Sequence, residues 1–136
     1  MTKSKEVWFI IVVVALALIV SVLFVAFRGR EPLKNIELVS ATVQLLPPDK
    51  TIQINDLDEL EDLLEDIVIY NQDDSYTKYV GQAVVFSVTM LDGSQMEVTA
   101  YNPFVIIDGV GYRCKYEPCE KLNNYANGLL NDTGKR

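Results

Sequence analysis

The two cysteines are the residues whose type and spacing come closest to a chemical site. Cys114 and Cys119 are the only cysteines in the chain, and Lys-Tyr-Glu-Pro separates them. We expect Cys114 at the end of a strand and Cys119 at the start of a helix, where a tight turn brings the two sulfur atoms together. In an exported domain a disulfide is the favoured state of such a pair, because oxidising compartments preserve disulfides.

The same pair has two other interpretations. One is a redox dithiol in which Cys119 is activated at a helix N-terminus. Against it, the spacing is not Cys-x-x-Cys, and no thioredoxin-like βαβ pattern surrounds the pair. The other is a pair of unbonded buried thiols, which is the state expected of a cytoplasmic domain.

The absence of histidine excludes several kinds of site. The chain contains no histidine, so it lacks Ser-His and Cys-His nucleophiles, His-ligated zinc and histidine pH sensing. Asp73-Asp74-Ser75 lacks the spacing, the glycine and the terminal glutamate of an EF-hand loop. A carboxylate-based hydrolase stays an alternative, since Asp/Glu pairs carry no sequence signature. We therefore expect no catalytic constellation, no metal and no cofactor.

Several polar and aromatic residues are predicted to lie in loops or at the edges of elements. Tyrosine offers apolar area together with a polar tip, a combination that suits binding surfaces. Tyrosines at sheet edges are also ordinary strand formers. The candidate binding surface comprises Asp73, Asp74, Tyr76, Tyr79, Tyr101, Asn102 and Tyr116.

A long apolar run near the N-terminus is expected to anchor the rest of the chain at a membrane. Residues 7–27 contain Ser21 as their only polar side chain. As a helix, 21 residues reach about 30 Å, which is the thickness of the hydrocarbon core of a bilayer. The layout is that of a signal anchor, with residues 1–6 in the cytoplasm and the C-terminal domain outside the cell membrane. Charge bias across the run is weak, so the positive-inside rule does not fix this orientation.

A cleaved signal peptide is the rival interpretation of this run. Ala15-Leu16-Ala17 has the small-x-small spacing of a cleavage site. It lies in the middle of the apolar run, however, and the run is longer than the ~7–15 residues of an ordinary h-region. A retained helix is therefore preferred.

The remaining chain predicts an α+β fold. Residues 28–35 form a juxtamembrane linker, 36–130 an extracytoplasmic domain with an antiparallel sheet and two helices, and 131–136 a polar tail. In the first strand Val39, Ala41, Val43 and Leu45 alternate and are predicted to face the core. Asp92-Gly93 and Asp108-Gly109 are hairpin signals. The predicted order β-β-α-β-β-β-β-α comprises strands at 36–46, 51–54, 83–90, 95–101, 104–107 and 110–114, and helices at 57–68 and 117–130.

Charge limits the partners of this domain. From Glu31 onward the chain has 18 acidic and 8 basic residues, a net charge of 8 − 18 = −10. This balance argues against nucleic-acid binding, which needs a basic surface. The expected partners are the lipid bilayer through residues 7–27, and a protein or small ligand of unknown identity.

A set of short motifs resembles those of small, uncharacterised, membrane-anchored proteins of Gram-positive bacteria. The motifs are Tyr-x-Gly-Gln-Ala-Val-Val-Phe at 79–86, Leu-Asp-Gly at 91–93, Tyr-Asn-Pro-Phe at 101–104, Ile-Asp-Gly at 107–109 and Tyr-Glu-Pro-Cys-Glu at 116–120. The resemblance implies an extracytoplasmic setting and an α+β fold, and it implies no particular activity.

These observations predict a single-pass membrane protein whose extracytoplasmic domain is a non-catalytic binding, sensing or regulatory module. One alternative is an envelope enzyme, either a Cys114/Cys119 dithiol oxidoreductase or a carboxylate-based hydrolase. The other is an adaptor that the helix holds on the cytoplasmic side of the membrane.

Overall fold

The computed structural model describes residues 2–78 and 81–134. A short 3-10 helix spans Ser75–Lys78. The three α-helices and seven strands are α1 (Thr2–Phe27), β1 (Leu38–Leu46), β2 (Lys50–Gln53), α2 (Leu57–Glu65), β3 (Ile69–Gln72), β4 (Ala83–Met90), β5 (Gln95–Tyr101), β6 (Phe104–Ile107), β7 (Val110–Cys114) and α3 (Tyr116–Gly134).

The seven strands form one antiparallel sheet in the order β2-β1-β4-β5-β6-β7-β3. The predicted α+β class is confirmed, and the predicted meander of four strands is present as β4 to β7. Strand β3 was not predicted. It follows α2 directly, and it pairs with β7 about forty positions further along the chain, Gln72 lying opposite Tyr112.

Helix α1 has the properties of a membrane-spanning helix. Its segment Lys3–Phe24 is long and apolar enough to cross a bilayer. From Val7 to Phe24 its large apolar side chains are exposed, Trp8 and Phe24 each to 68%. Exposure of apolar side chains on all sides is unfavourable in water and favourable in hydrocarbon.

A register shift in β1 changes one predicted orientation. Val39 was predicted to face the core, but it is 50% exposed, whereas Leu38 is buried. The register slips between Leu38, which pairs with Met90, and Ser40, which pairs with Thr89. A β-bulge of this kind puts an extra residue into one strand and reverses the alternation there. Beyond the bulge Ala41, Val43 and Leu45 face the core as predicted.

The two Asp-Gly hairpins are present but differ in geometry. Asp108 and Gly109 both have positive φ, 47° and 85°, as the two central residues of a type I′ turn require. In the β4–β5 turn only Gly93 is recorded with positive φ, 87°. There Ser94 donates its N–H to the Asp92 carboxylate over 2.9 Å. Asp92 therefore stabilises this turn through its side chain, without adopting a positive φ itself.

Helices α2 and α3 cover one face of the sheet. Asp56 caps α2 by accepting the Glu59 N–H at 3.1 Å, and Leu60 and Leu64 of the same helix are fully buried. Leu122 and Ala126 of α3 share this core. Asp58, Glu59 and Asp62 lie on the exposed face of α2, as the amphipathic pattern predicts, whereas the half-buried Glu61 accepts the Leu38 backbone N–H over 2.8 Å.

The segment between α1 and the sheet is held against the domain. Arg30 and Ile69 exchange two backbone hydrogen bonds of 2.8 Å, and Leu33 is buried in the core. Residues 28–35, predicted as a linker, therefore also contribute to the sheet edge and to the core. At the other end, α3 continues through Gly134, so the described part of the predicted polar tail is helical.

Candidate functional site

The Cys114 and Cys119 side chains lie where β7 meets α3. Cys114 ends β7, and Cys119 lies in the first turn of α3. Both side chains are buried. The backbone N–H of Cys114 donates to the Pro103 carbonyl over 3.0 Å, which fixes the end of β7 against the β5–β6 turn. Because α3 begins two residues after β7 ends, the two cysteines lie close together, as the sequence predicts.

The two thiols differ in acidity. The neighbouring Cys119 thiol lowers the pKa of Cys114, and the positive charge of Arg113 lowers it as well. The neighbouring Cys114 thiol, together with burial, raises the pKa of Cys119, whose S–H donates to the Phe104 carbonyl at 3.7 Å. The more acidic thiol is therefore Cys114, whereas the redox interpretation of the sequence placed activation at Cys119. The sulfur atoms are not bonded in the structure, and the disulfide remains a prediction.

A pocket lined by amide side chains lies next to the cysteines. We call it the asparagine pocket; it has a volume of about 370 Å³ and is lined by Gly81, Gln82, Tyr101, Asn102, Pro103, Asn123 and Asn127. Asn102 accepts a hydrogen bond from the Cys114 thiol at 3.7 Å, and the amide nitrogen of Asn123 lies 4.0 Å from the Cys119 sulfur. The pocket and the thiols therefore form one polar region.

The amide groups of α3 are oriented by the helix itself. The Asn123 amide nitrogen donates to the Cys119 carbonyl over 3.2 Å, and the Asn127 amide nitrogen donates to the Asn123 carbonyl over 2.9 Å. These bonds use the donor end of each amide. The amide oxygens are left as the groups that accept hydrogen bonds from a bound molecule.

Part of the predicted binding surface serves to hold a loop on the sheet. The Asp73 carboxylate accepts hydrogen bonds from the Ser75 N–H and from Arg113, each over 2.9 Å. Asp74 accepts the Gly111 N–H over 2.9 Å. The Tyr76 ring packs on Phe104 with centroids 6.3 Å apart. These contacts fasten residues 73–78 over β6 and β7.

The pKa of Asp73 reflects the same contacts. Hydrogen bonds from Ser75, followed by the hydrogen bond and the charge of Arg113, lower the pKa of Asp73 from 3.8 to about 2. The carboxylate is thus ionised across the physiological range. Its partners Ser75 and Arg113 fasten the loop to β7, and the predicted binding role of Asp73 stays a prediction.

Of the other predicted residues, Tyr101 and Asn102 line the asparagine pocket. Tyr116 is exposed at the start of α3, and its carbonyl accepts the Asn102 amide N–H over 3.0 Å. Tyr79 lies outside the described residues. The structure thus brings Tyr101, Asn102 and Tyr116 together near the cysteines, whereas Asp73, Asp74 and Tyr76 contact Arg113, Gly111 and Phe104.

The sequence analysis missed the contributions of Gln82, Asn123 and Asn127 to this pocket. A signal was available, because Cys119, Asn123 and Asn127 follow one another at intervals of four residues. Residues four apart lie on the same face of a helix. The contribution of Gln82 depends on tertiary structure, since its amide reaches the Pro47 carbonyl, 35 residues away, over 3.1 Å.

A second depression lies on the sheet face opposite α2 and α3. This open-face groove has a volume of about 390 Å³ and is lined mainly by Ser40, Thr42, Gln53, Ser87, Thr89, Gln95, Glu97 and Asp108. Its rows follow the strand register, with Thr42 opposite Ser87 and Ser87 opposite Glu97. These polar side chains are what the period-two pattern requires of the wet face of a sheet.

Comparison of the chain with protein-family models, with curated proteins and with solved structures finds no match. The resemblance to membrane-anchored proteins of Gram-positive bacteria stays a prediction. Any account of what the chain does rests on its own residues.

Proposed function

We propose that the chain is a single-pass membrane protein that holds a non-catalytic binding domain outside the cytoplasmic membrane. The observation that carries the proposal is the asparagine pocket, which strand, turn and helix enclose together and which presents amide oxygens and the Tyr101 ring. Such a lining suits recognition by hydrogen bonding and offers no activated nucleophile. Helix α1 supplies the membrane attachment.

The chemistry of the pocket defines the class of ligand. Amide oxygens accept hydrogen bonds, so they complement molecules rich in hydroxyl or ammonium donors. The acidic domain, with its net charge of −10 beyond residue 30, favours neutral or cationic ligands over anions. Amino sugars, neutral oligosaccharides and short basic peptides have this character.

Ligand binding is tested with full-length protein in nanodiscs by ligand-observed NMR against amino sugars, disaccharides and short basic peptides. We expect saturation transfer from the protein to at least one of these ligand classes. The transfer should be lost in Asn127→Leu, because this variant lacks one amide group of the pocket. Asn124→Leu is the matched control, because Asn124 is exposed on the same helix. An equal loss in both variants, or transfer to no class, would contradict the proposed site.

The side of the membrane is tested with an added cysteine in intact cells. Leu91→Cys places a thiol at an exposed position next to the β4–β5 turn, while the native cysteines are buried and serve as the unlabelled background. We expect a membrane-impermeant maleimide to label Leu91→Cys and not the unmodified chain. A Leu91→Cys protein that is labelled only after cell lysis would favour the cytoplasmic adaptor.

The neighbouring thiols, with the pKa of Cys114 lowered beside Cys119, favour a second candidate function, a dithiol oxidoreductase. Here Cys114 as thiolate would attack a substrate disulfide, and Cys119 would then displace the reduced substrate and leave a Cys114–Cys119 disulfide. Two electrons and two protons would pass to the substrate. The complete burial of Cys119 disfavours this function, because reactive cysteines are partly exposed.

A turnover assay separates the two candidates. The purified chain is incubated with a protein-disulfide substrate and a thiol reductant, next to a Cys114→Ser/Cys119→Ser variant. We expect equal background rates for both proteins. Faster reduction by the unmodified chain would establish the enzyme instead.

A further inference from the structure

The chain leaves α1 and joins the sheet within three residues. Helix α1 ends at Phe27, and Arg30 already exchanges two 2.8 Å backbone hydrogen bonds with Ile69 of β3. Gly29 lies close against β3, since a Cβ atom there would clash with the Val68 side chain and come within 3.0 Å of the Tyr70 ring. The backbone that carries Arg28 and Arg30 is therefore fixed where the apolar helix ends.

A cavity with basic walls lies at this junction. The basic juxtamembrane pocket has a volume of about 630 Å³ and is lined by Arg28, Gly29, Arg30, Glu31, Lys34 and Val68. Lys34 and Glu31 form an ion pair at 3.7 Å with both side chains largely in solvent. In the described part of the chain, no ion pair engages the Arg28 or Arg30 guanidinium. With three cations and one carboxylate, the pocket carries a net charge of +2.

The positive charge of the chain lies at the two ends of α1, +1 from residues 1–6 and +2 from residues 28–34. Residues 1–34 have five basic and two acidic side chains, a net charge of +3, whereas residues 35–136 have seven basic and 17 acidic, a net charge of −10. An acidic domain is repelled by anionic lipid. A basic pocket at the end of α1 compensates locally for that repulsion.

We infer that the basic juxtamembrane pocket binds the phosphate headgroup of an anionic phospholipid. Two guanidinium groups match the oxygens of a phosphodiester by paired hydrogen bonds. Val68 gives the pocket an apolar wall on which the glycerol portion of a lipid can pack. The end of a membrane-spanning helix lies at the depth of the headgroups. The inference rests on α1 as the membrane anchor of the proposed function.

The test uses the full-length chain reconstituted in vesicles of equal parts phosphatidylcholine and phosphatidylglycerol, then analysed by native mass spectrometry. We expect retained phosphatidylglycerol to exceed phosphatidylcholine, and Arg28→Gln/Arg30→Gln to reduce that excess about tenfold, since these two guanidinium groups line the pocket and pair with phosphate oxygens. Lys3→Gln/Lys5→Gln removes the same charge from the other end of α1 and should preserve the excess. Arg28→Lys/Arg30→Lys should restore part of it.

Each alternative outcome overturns the inference. Equal losses in the two glutamine variants would indicate general charge attraction, and absence of any excess would exclude the site. Displacement of retained lipid by excess inorganic phosphate would assign the pocket to a soluble anion instead. Flotation of the vesicles separates failure of the headgroup site from failure of the anchor, because a chain that does not float with lipid lacks the anchor altogether.

Discussion

Single residues determine how the loop before β4 is held. Asp73, Asp74 and Tyr76 come from a polar stretch that the sequence presents as a binding surface. The structure gives them the hydrogen bonds and the ring contact that fasten this loop to β6 and β7. Their partners Gly111, Arg113 and Phe104 lie 28 to 40 residues later in the chain, and no local pattern reveals such contacts.

The lowered pKa of Asp73 predicts a pH-dependent stability. Because its pKa in the folded state is about 2 rather than 3.8, the ionised carboxylate stabilises the fold above about pH 4, and this stabilisation is lost as the pH falls toward 2. We expect the difference in unfolding free energy between the unmodified chain and Asp73→Asn to shrink over that interval. Urea titrations at a series of pH values measure it. Asp58→Asn on the exposed side of α2 is the charge control, and a difference of the same pH dependence there would contradict the assignment.

Two glycines are expected to respond to alanine in opposite directions. A Cβ atom at Gly111 would come within 2.6 Å of the Asp73 carbonyl oxygen and 2.7 Å of the Tyr76 ring, so Gly111→Ala should destabilise the fold by about 1–3 kcal/mol. Gly128 lies inside α3 with open space around it. Gly128→Ala should stabilise it by about 0.5–1 kcal/mol. Chemical unfolding of both variants gives the two signs, and two changes of the same sign would contradict this account.

At the scale of elements, most of the fold was predictable because local sequence patterns indicate both the strands and the turns between them. The alternation in β4 and β5 and the Asp-Gly turns specify neighbouring strands from local residues. Strand β3 has no such local pattern. It is four residues long and follows α2 without a turn signal, and it is a strand because it pairs with β7. The bulge that exposes Val39 likewise depends on the partner strand β4.

The two cysteines at the junction of β7 and α3 are predicted to form a disulfide. In chain purified from an oxidising compartment, we expect a Cys114–Cys119 disulfide, detected as the loss of two hydrogens in intact mass and as protection from alkylation in denaturant. Closing so short a loop should raise the unfolding free energy by about 2 kcal/mol over the reduced chain. A Cys114→Ala/Cys119→Ala variant should show no response to reductant. Full alkylation of the unreduced chain in denaturant would contradict the disulfide.

At the scale of the whole molecule, the sequence separates an apolar helix from an acidic domain but does not locate the boundary of the domain. Arg30 and Leu33 belong to a Gly- and Pro-containing stretch that has the composition of a linker. Their roles in the sheet and the core require contact with β3 and with the packed interior. The asparagine pocket is similarly non-local, since two helical residues of α3 meet Gln82 and the β5–β6 turn.

Truncation tests where the domain begins. A fragment of residues 28–136 keeps the Arg30–Ile69 hydrogen bonds and the buried Leu33, whereas a fragment of residues 36–136 loses both. We expect the shorter fragment to be less stable by about 2–5 kcal/mol, the cost of removing a buried leucine. Urea unfolding followed by circular dichroism compares the two. Equal midpoints would indicate that residues 28–35 are a linker after all.

If α1 spans a membrane as proposed, the short connection between helix and sheet determines how far the domain lies from the lipid. Arg28 and Gly29 alone lie between the end of α1 and the first sheet hydrogen bond, and two extended residues span about 7 Å. An eight-residue tether would allow the domain to sweep a radius several times larger. This domain has almost no such radius, so in the proposed arrangement a partner meets the domain next to the bilayer.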